Sequence, residues 1–299
     1  MKRTILVTGG AGQVGIELLR LKWPDSVEVY APARNELDIT SSDSVAACFA
    51  KHNPQCVINC AAYTAVDKAE EEVATAFLVN AQGPAFLADA ARRGNAPIIH
   101  VSTDYVFDGS ADRPYRESDP TAPVNAYGAS KLAGELAVRA ANPHSVVLRT
   151  AWVLSAHRAN FIKTMLRLGA SNPSLRVVAD QRGCPTSAKD IAETLQRIAR
   201  RALDNPDTPW GTYHFVNSGE TSWHGLAEHI FARSGGARPE VQAIPTSAYP
   251  TPARRPANSR LATRLIGEKL GIVPRPWQDA VDEILAELGA MNQGERQSI

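Results

Sequence analysis

The four cysteines of this 299-residue chain, Cys48, Cys56, Cys60 and Cys184, form no C-x-x-C pair, and no histidine cluster lies near them. That excludes a zinc module and a disulfide framework, and it leaves buried free thiols as the reading. Charge of one sign is lacking too. The formal net charge is +1, so no broad field invites nucleic acid or an anionic membrane surface. No apolar stretch approaches the roughly 20 residues a bilayer span needs. The opening MKRTILVTGG reaches a double glycine after too few apolar residues for a secretory core, so a cytoplasmic location is the expectation. Any anionic ligand has to be met by local groups.

What is present is a soluble, ordinary composition, 44% hydrophobic and 21% charged, long enough for a large α/β domain with a smaller lobe. Short β-rich runs alternate with helical apolar spacing. TILVTGG is followed by GQVGIELLRLKW up to Pro24, then by SVEVYAP, SSDSVAACFAKHN and QCVINCAAY. The rhythm continues through EVATAFLVNAQGPAFLADAARRG, PIIHVSTDYVF, NAYGASKLAGELAVRAAN and HSVVLRTAWVL. Such alternation predicts a parallel sheet covered on both faces. After about residue 155 it loosens into NFIKTMLRLGAS, LRVVAD and AKDIAETLQRIARRAL, then a proline-rich loop with three arginines, AIPTSAYPTPARRPANSRL. A loop of that length in a compact chain is more often functional than idle. The closing MNQGERQSI reads as a frayed tail.

Gly9, Gly12 and Gly15 stand in G-x-x-G-x-x-G spacing between the first strand and the first helix. A turn free of Cβ atoms lets backbone N–H groups approach a diphosphate, and the helix N-terminus favours its charge. Dinucleotide binding follows, with Gln13 and Val14 inside the turn. After the second strand no acid is in place for a ribose hydroxyl, whereas Arg34 is present, which leans towards NADPH over NADH; Arg34 as a solvated loop residue is the plain alternative. Asp38 and Ile39 would then lie near the adenine.

Tyr127 and Lys131 are four apart, hence on one helix face. Ser102 and Thr103 alternate on a strand, so only one of the two faces a given side. His214 and His224 have no metal-ligand spacing around them and read as hydrogen-bonded structural histidines.

The blocks AYTAVDKAE, STDYVFDG, YGASKLAGE, RTAWVLS, NFIKTMLRL, DQRGCPT and PTSAYPTPARRPANSRL resemble those of the extended short-chain dehydrogenase/reductase family and, within it, the dTDP-4-dehydrorhamnose reductases. The resemblance runs from residue 3 to about residue 265. It implies a Rossmann-type doubly wound α/β fold, with residues 1–155 binding NAD(P) and residues 156–299 mainly a substrate-binding lobe, some segments returning to the first domain. It implies reduction of the C4 ketone of a dTDP-4-dehydro-6-deoxy sugar, with hydride from NADPH or NADH. Tyr127 would give the proton, Lys131 would hold the nicotinamide ribose and make the phenol more acidic, and Thr103 would hydrogen-bond the carbonyl oxygen. On the residues alone Ser102 is nearly as good. Ala62, Tyr63, Thr64 and Val101 join the cofactor contacts by the same resemblance. Asp104, Tyr105 and Trp152 join the substrate contacts, with packing as their alternative. The nucleotide diphosphate calls for arginine or lysine. Lys163 and Arg255 are the candidates, while Arg254 reads as a surface residue and Arg260 stays open.

Some relatives are dimers bridged by Mg2+ through glutamates of the first helix and of the helix after G-x-P-T. Glu17 is in the first position, but Lys189 stands in the second. An ammonium repels a divalent cation, so no metal is assigned, and a monomer or weak homodimer is expected. The other readings are a 4-ketoreductase of another nucleotide sugar and a dinucleotide-binding regulatory subunit of the methionine adenosyltransferase type. The intact Thr103, Tyr127 and Lys131 weigh against the second.

Overall fold

The computed structural model describes residues 2–205, 207–236 and 238–290; the MNQGERQSI tail lies outside them. The chain runs β1 (Arg3–Thr8), α1 (Gln13–Arg20), β2 (Val27–Tyr30), α2 (Ser42–His52), β3 (Cys56–Asn59), α3 (Val73–Phe77), α4 (Gly83–Arg93) and β4 (Ile98–Thr103). It continues through α5 (Ala126–Ala141), β5 (Ser145–Thr150), β6 (Val153–Leu154), α6 (Phe161–Gly169), β7 (Ser174–Val178), β8 (Arg182–Gly183), β9 (Thr186–Ser187) and α7 (Ala188–Asp204). The last elements are β10 (Gly211–His214), β11 (Thr221–Ser222), α8 (Trp223–Arg233), β12 (Glu240–Ile244), α9 (Arg264–Leu270) and α10 (Trp277–Glu287).

Six parallel strands form the central sheet in the order β10-β5-β4-β3-β1-β2. Its central strands are buried on both faces, which is why they read as continuous apolar runs rather than alternating ones. On one face, Leu18 of α1 and Ile191, Leu195 and Ile198 of α7 pack over Ile5, Ile58 and Leu148, joined by Ile266 and Leu270 of α9. On the other, Val45 of α2, Leu87 of α4 and Val138 of α5 cover Leu6, Val57 and Ile98. Burying an aliphatic side chain of this size contributes about 1.5 to 3 kcal/mol. The apolar stripes of these helices therefore decide which face of each meets the sheet.

A second core gathers Ile162 and Met165 of α6, Leu226, Ile230 and Phe231 of α8, and Ile284 and Leu285 of α10. Beside it β7 pairs in parallel with β12. The two cores interleave along the chain: α7 and β10, both beyond residue 155, lie in the sheet half. Short polar residues start the helices that flank the cleft. Asn125 Oδ1 accepts from the Gly128 N–H at 2.7 Å ahead of α5, and Asn160 Oδ1 accepts from the Lys163 N–H at 3.3 Å ahead of α6.

Between α3 and α4 the helix widens into a π turn, Leu78–Gln82. Asn80, fully buried there, accepts from the Tyr63 N–H at 2.8 Å and donates to the Tyr63 carbonyl at 3.0 Å and to Ser130 Oγ at 2.9 Å. One side chain thus fastens the loop after β3 to α5. A single π turn inside a helix often marks a functional position.

Candidate active site

A cleft of about 930 Å³ opens along the C-terminal ends of β1, β3, β4 and β5. That is where open α/β sheets bind ligands. At one end lies the glycine turn. A Cβ on Gly15 would sit 2.3 Å from the Gly9 carbonyl oxygen, and one on Gly9, whose φ is +72°, would sit 2.6 Å from the Ala61 nitrogen. Only glycine permits so close a weave. No side chain caps α1, whose N-cap is Gly12, so its first N–H groups are free to meet a phosphate. The turn suits a dinucleotide.

Gly9, Gly12, Gln13, Val14, Gly15, Arg34, Asp38, Ile39, Ala62, Thr64, Val101, Tyr127 and Lys131 all line this cleft. Tyr63 does not: its backbone is held by Asn80 and its hydroxyl donates to Glu72 Oε2 at 2.8 Å.

Opposite the turn, β4 and α5 bring Thr103, Tyr127 and Lys131 to one wall. Ser102 and Thr103 part company here. Ser102 Oγ donates to the buried Glu135 at 2.5 Å, whereas Thr103 is hydrogen-bonded with the Tyr127 phenol and donates to Asp104 Oδ1 at 3.0 Å. Lys131, 2% exposed, donates from Nζ to the Val101 carbonyl at 2.7 Å. Burial pulls its ammonium down to about 8, against the raising influence of Glu135 and Cys60.

The expectation that Lys131 makes the phenol more acidic is not met by these groups alone. Burial pushes Tyr127 up to about 12, with the Thr103 hydrogen bond lowering it and the Asp104 charge raising it. Desolvation of the buried phenol outweighs that hydrogen bond. At neutral pH the Tyr127 phenol therefore keeps its proton.

Asp104 is buried, and burial raises its carboxyl to about 6 against the lowering influence of the Ser259 and Thr103 hydroxyls. Tyr105 meets Tyr127 edge to face with ring centroids 5.5 Å apart. Trp152, at φ +46°, stacks on Trp223 with centroids 3.5 Å apart, and both line the cleft. Gly183 lies beneath Trp152, where a Cβ would come within 2.3 Å of the indole.

Two expected substrate contacts are placed elsewhere. Arg255 is held by Asp67, with Nη2 donating to Oδ2 at 2.7 Å, and it also hydrogen-bonds Tyr105. Its charge is already neutralised, so it braces Tyr105 and is absent from the cleft wall. Lys163 Nζ donates to the Ala156 carbonyl at 3.3 Å and is likewise not on the wall. Arg254 is exposed, and Arg260 is buried between Glu220 and the Asp112 carbonyl. The arginine loop works as a tie between segments. His214 accepts no outside role either: it is buried between the Tyr115 carbonyl and Arg149, and burial holds it down at about 3. His224 hydrogen-bonds the Val241 carbonyl at 3.0 Å.

Asn80, Trp223 and Arg158 carry no motif of their own, and the sequence reading passes over them. A lone asparagine inside the apolar FLVNAQG was the one signal available for Asn80.

Glu17, His157 and Glu287 come close enough to share a cation. Arg20 already supplies it. Its Nη1 lies 2.6 Å from Glu287 Oε1, 2.8 Å from His157 Nε2 and 3.5 Å from Glu17 Oε1. Lys189 is ion-paired with Glu283. These residues fit a guanidinium and not Mg2+, whose oxygen-rich shell would have to expel Arg20.

The family model described as RmlD substrate binding domain matches residues 1–290. A dTDP-4-dehydrorhamnose reductase of Sinorhizobium fredii is 44% identical over 285 residues, covering 94% of this chain and 96% of that protein. Among solved structures, the dTDP-4-dehydrorhamnose reductase of Clostridium acetobutylicum superposes with a TM-score of 0.91 at 39% identity, covering 96% of this chain and 99% of its own. That of Bacillus anthracis, solved in complex with NADP, gives 0.90 at 33% identity, covering 96% and 100%. A glycine turn facing a Thr-Tyr-Lys wall, a family model spanning nearly the whole chain and relatives matched almost end to end lead to one statement: the chain belongs to the RmlD family, in which these similar proteins carry the name dTDP-4-dehydrorhamnose reductase.

Proposed function

We propose that this protein reduces the C4 ketone of dTDP-4-dehydro-6-deoxy-L-mannose (dTDP-4-dehydro-β-L-rhamnose) to dTDP-L-rhamnose, with hydride from NADPH, and NADH as the alternative donor. The observation that carries the reading is the meeting of Thr103, Tyr127 and Lys131 on one wall of the cleft that the glycine turn begins. The names of its relatives and the NADP complex of one of them support it.

The dinucleotide, when bound, supplies the hydride that goes to the ketone carbon. Everything else falls to the chain. The Thr103 hydroxyl, hydrogen-bonded with Tyr127, positions the carbonyl oxygen beside the phenol. As negative charge grows on that oxygen, Tyr127 passes its proton over, and the oxygen becomes the product hydroxyl. The Lys131 ammonium, fixed on the Val101 carbonyl, stabilises the phenolate left behind until a proton returns from solvent. Such positioned proton transfer contributes about 100-fold to 10,000-fold. Trp152 and Trp223 give the sugar a flat apolar wall, and in this reading the lobe of α6, α8 and α10 forms the far side of the substrate site.

The test is the loss of nicotinamide absorbance with enzymatically prepared dTDP-4-dehydro-6-deoxy-L-mannose, NADPH and NADH compared side by side. Tight NADPH binding without turnover of that sugar would favour the regulatory-subunit reading. Turnover only with another nucleotide sugar would favour the related ketoreductase.

A further inference from the structure

We propose that Arg158 is a diphosphate-binding residue, closing the cleft from the side opposite α1 so that a dinucleotide's two phosphates lie between the helix N-terminus and a guanidinium. This rests on the nicotinamide dinucleotide reading above.

Residues 155–160 run from the end of β6 to the start of α6 and cross the glycine turn as a strap. Gln13, inside the turn, holds the strap at both ends: its Oε1 accepts from Ser155 Oγ at 2.8 Å and from Asn160 Nδ2 at 3.1 Å. At the crest is Arg158, a non-glycine residue with φ +57°. Left-handed backbone at an ordinary residue persists only where the surroundings impose it, and such positions gather at ligand clamps. Here Arg158 Nε donates to the Ala11 carbonyl at 2.7 Å, one residue ahead of the N-cap Gly12. That bond sets the plane of the guanidinium against the turn.

The rest of the side chain is uncommitted. Arg158 lines the cleft together with Gly9 through Gly15, and among the described residues neither terminal nitrogen has a hydrogen-bond or ion-pair partner. The turn TGGAGQV brings no acid to it. Its neighbour His157 is engaged with Glu17 and Arg20. The other charged residues on the cleft wall are Arg34, Asp38, Asp104 and Lys131; Asp38 is bonded to Thr40, and Asp104 to Thr103. An arginine fixed by one nitrogen, with its remaining donors beside the free N–H groups of a helix start, matches the bidentate demand of phosphate oxygens. A purely structural staple would need only the Nε bond.

The two roles separate by ligand. Affinities of Arg158→Ala and Arg158→Gly are measured for NADPH, NADH, ADP-ribose and adenosine, the glycine variant accepting the left-handed backbone without strain. We expect NADPH, NADH and ADP-ribose to weaken alike by about 10-fold to 100-fold, the range for losing a charge-assisted hydrogen bond, while adenosine is unchanged. Arg158→Lys should recover part of the loss, since charge returns without the fork. Dinucleotide affinities within twofold of wild type overturn the proposal. An equal loss for adenosine also overturns it, because the strap then acts only as structure. Failure of the wild-type protein to bind any dinucleotide overturns the underlying reading as well.

Discussion

Ser102 Oγ lies 2.5 Å from Glu135, inside the protein, and Glu135 also takes the Nε and Nη2 of Arg149 at 2.9 and 2.7 Å. The serine thereby anchors β4 to α5, and Thr103 is the neighbour that meets the Tyr127 phenol. Thr103→Val is expected to cut kcat by about 100-fold with little change in melting temperature, the usual size for one oxyanion donor. Ser102→Ala should instead cost about 1 to 3 kcal/mol of stability and spare kcat to within a few-fold. Steady-state kinetics and thermal melts on both variants decide; the opposite pattern would exchange the roles.

Lys131, not Tyr127, should set the alkaline limb of kcat/KM. Burial holds the lysine at about 8 and the phenol at about 12, so the ammonium is lost first as pH rises. The rate constant is expected to fall through about pH 8, since kcat/KM reports the free enzyme. Arg in its place stays charged, so Lys131→Arg should move the limb upward at lower activity. A limb that stays near pH 8 in that variant assigns it to another group.

Asp104 should weaken the fold at neutral pH. Its carboxyl titrates at about 6 in the folded protein against 3.8 ordinarily, so between these values the native state holds a proton that the unfolded chain has released. Stability from this group therefore declines as pH rises through that window, and the cost is complete above about 6. Asp104→Asn is expected to gain up to about 3 kcal/mol at pH 7.5, a gain that vanishes towards pH 4, while activity falls. Urea unfolding at both pH values checks it; an equal gain at both would refute the electrostatic cause.

Arg20 predicts indifference to chelators. Light scattering and melting of the wild-type protein should be the same with and without EDTA, and an EDTA-dependent change in size would contradict the assignment. Arg20→Ala removes the cation from Glu17, His157 and Glu287. That variant should melt a few degrees lower and recover on adding a divalent metal.

The glycine turn, the strand-helix rhythm and the Tyr127–Lys131 spacing were legible because each is a local pattern. The misplaced residues all depend on distant partners. Arg255 looked free in its loop because Asp67, which neutralises it, lies 188 positions earlier. Thr103 and Ser102 could be separated only once Glu135 was seen behind the strand. β10 is four residues beginning with glycine, and it is a strand because β5 offers it an edge. The π turn at Asn80 likewise needs Tyr63 and Ser130, 17 and 50 residues away.

That β10 forms the sixth strand has a bearing on how the molecule is born. Ile5 and Val7 share one core with Ile191, Tyr213 and Ile272, so the first strands made at the ribosome wait for nearly the last helices before their surface is covered. A fragment ending near residue 155 would carry every residue of the Thr-Tyr-Lys wall and still expose the edge of β5 and the part of one sheet face that α7 and α9 cover. Such an edge invites pairing with another chain. Completing the core of the sheet half thus requires α7, β10 and the chain as far as residue 272.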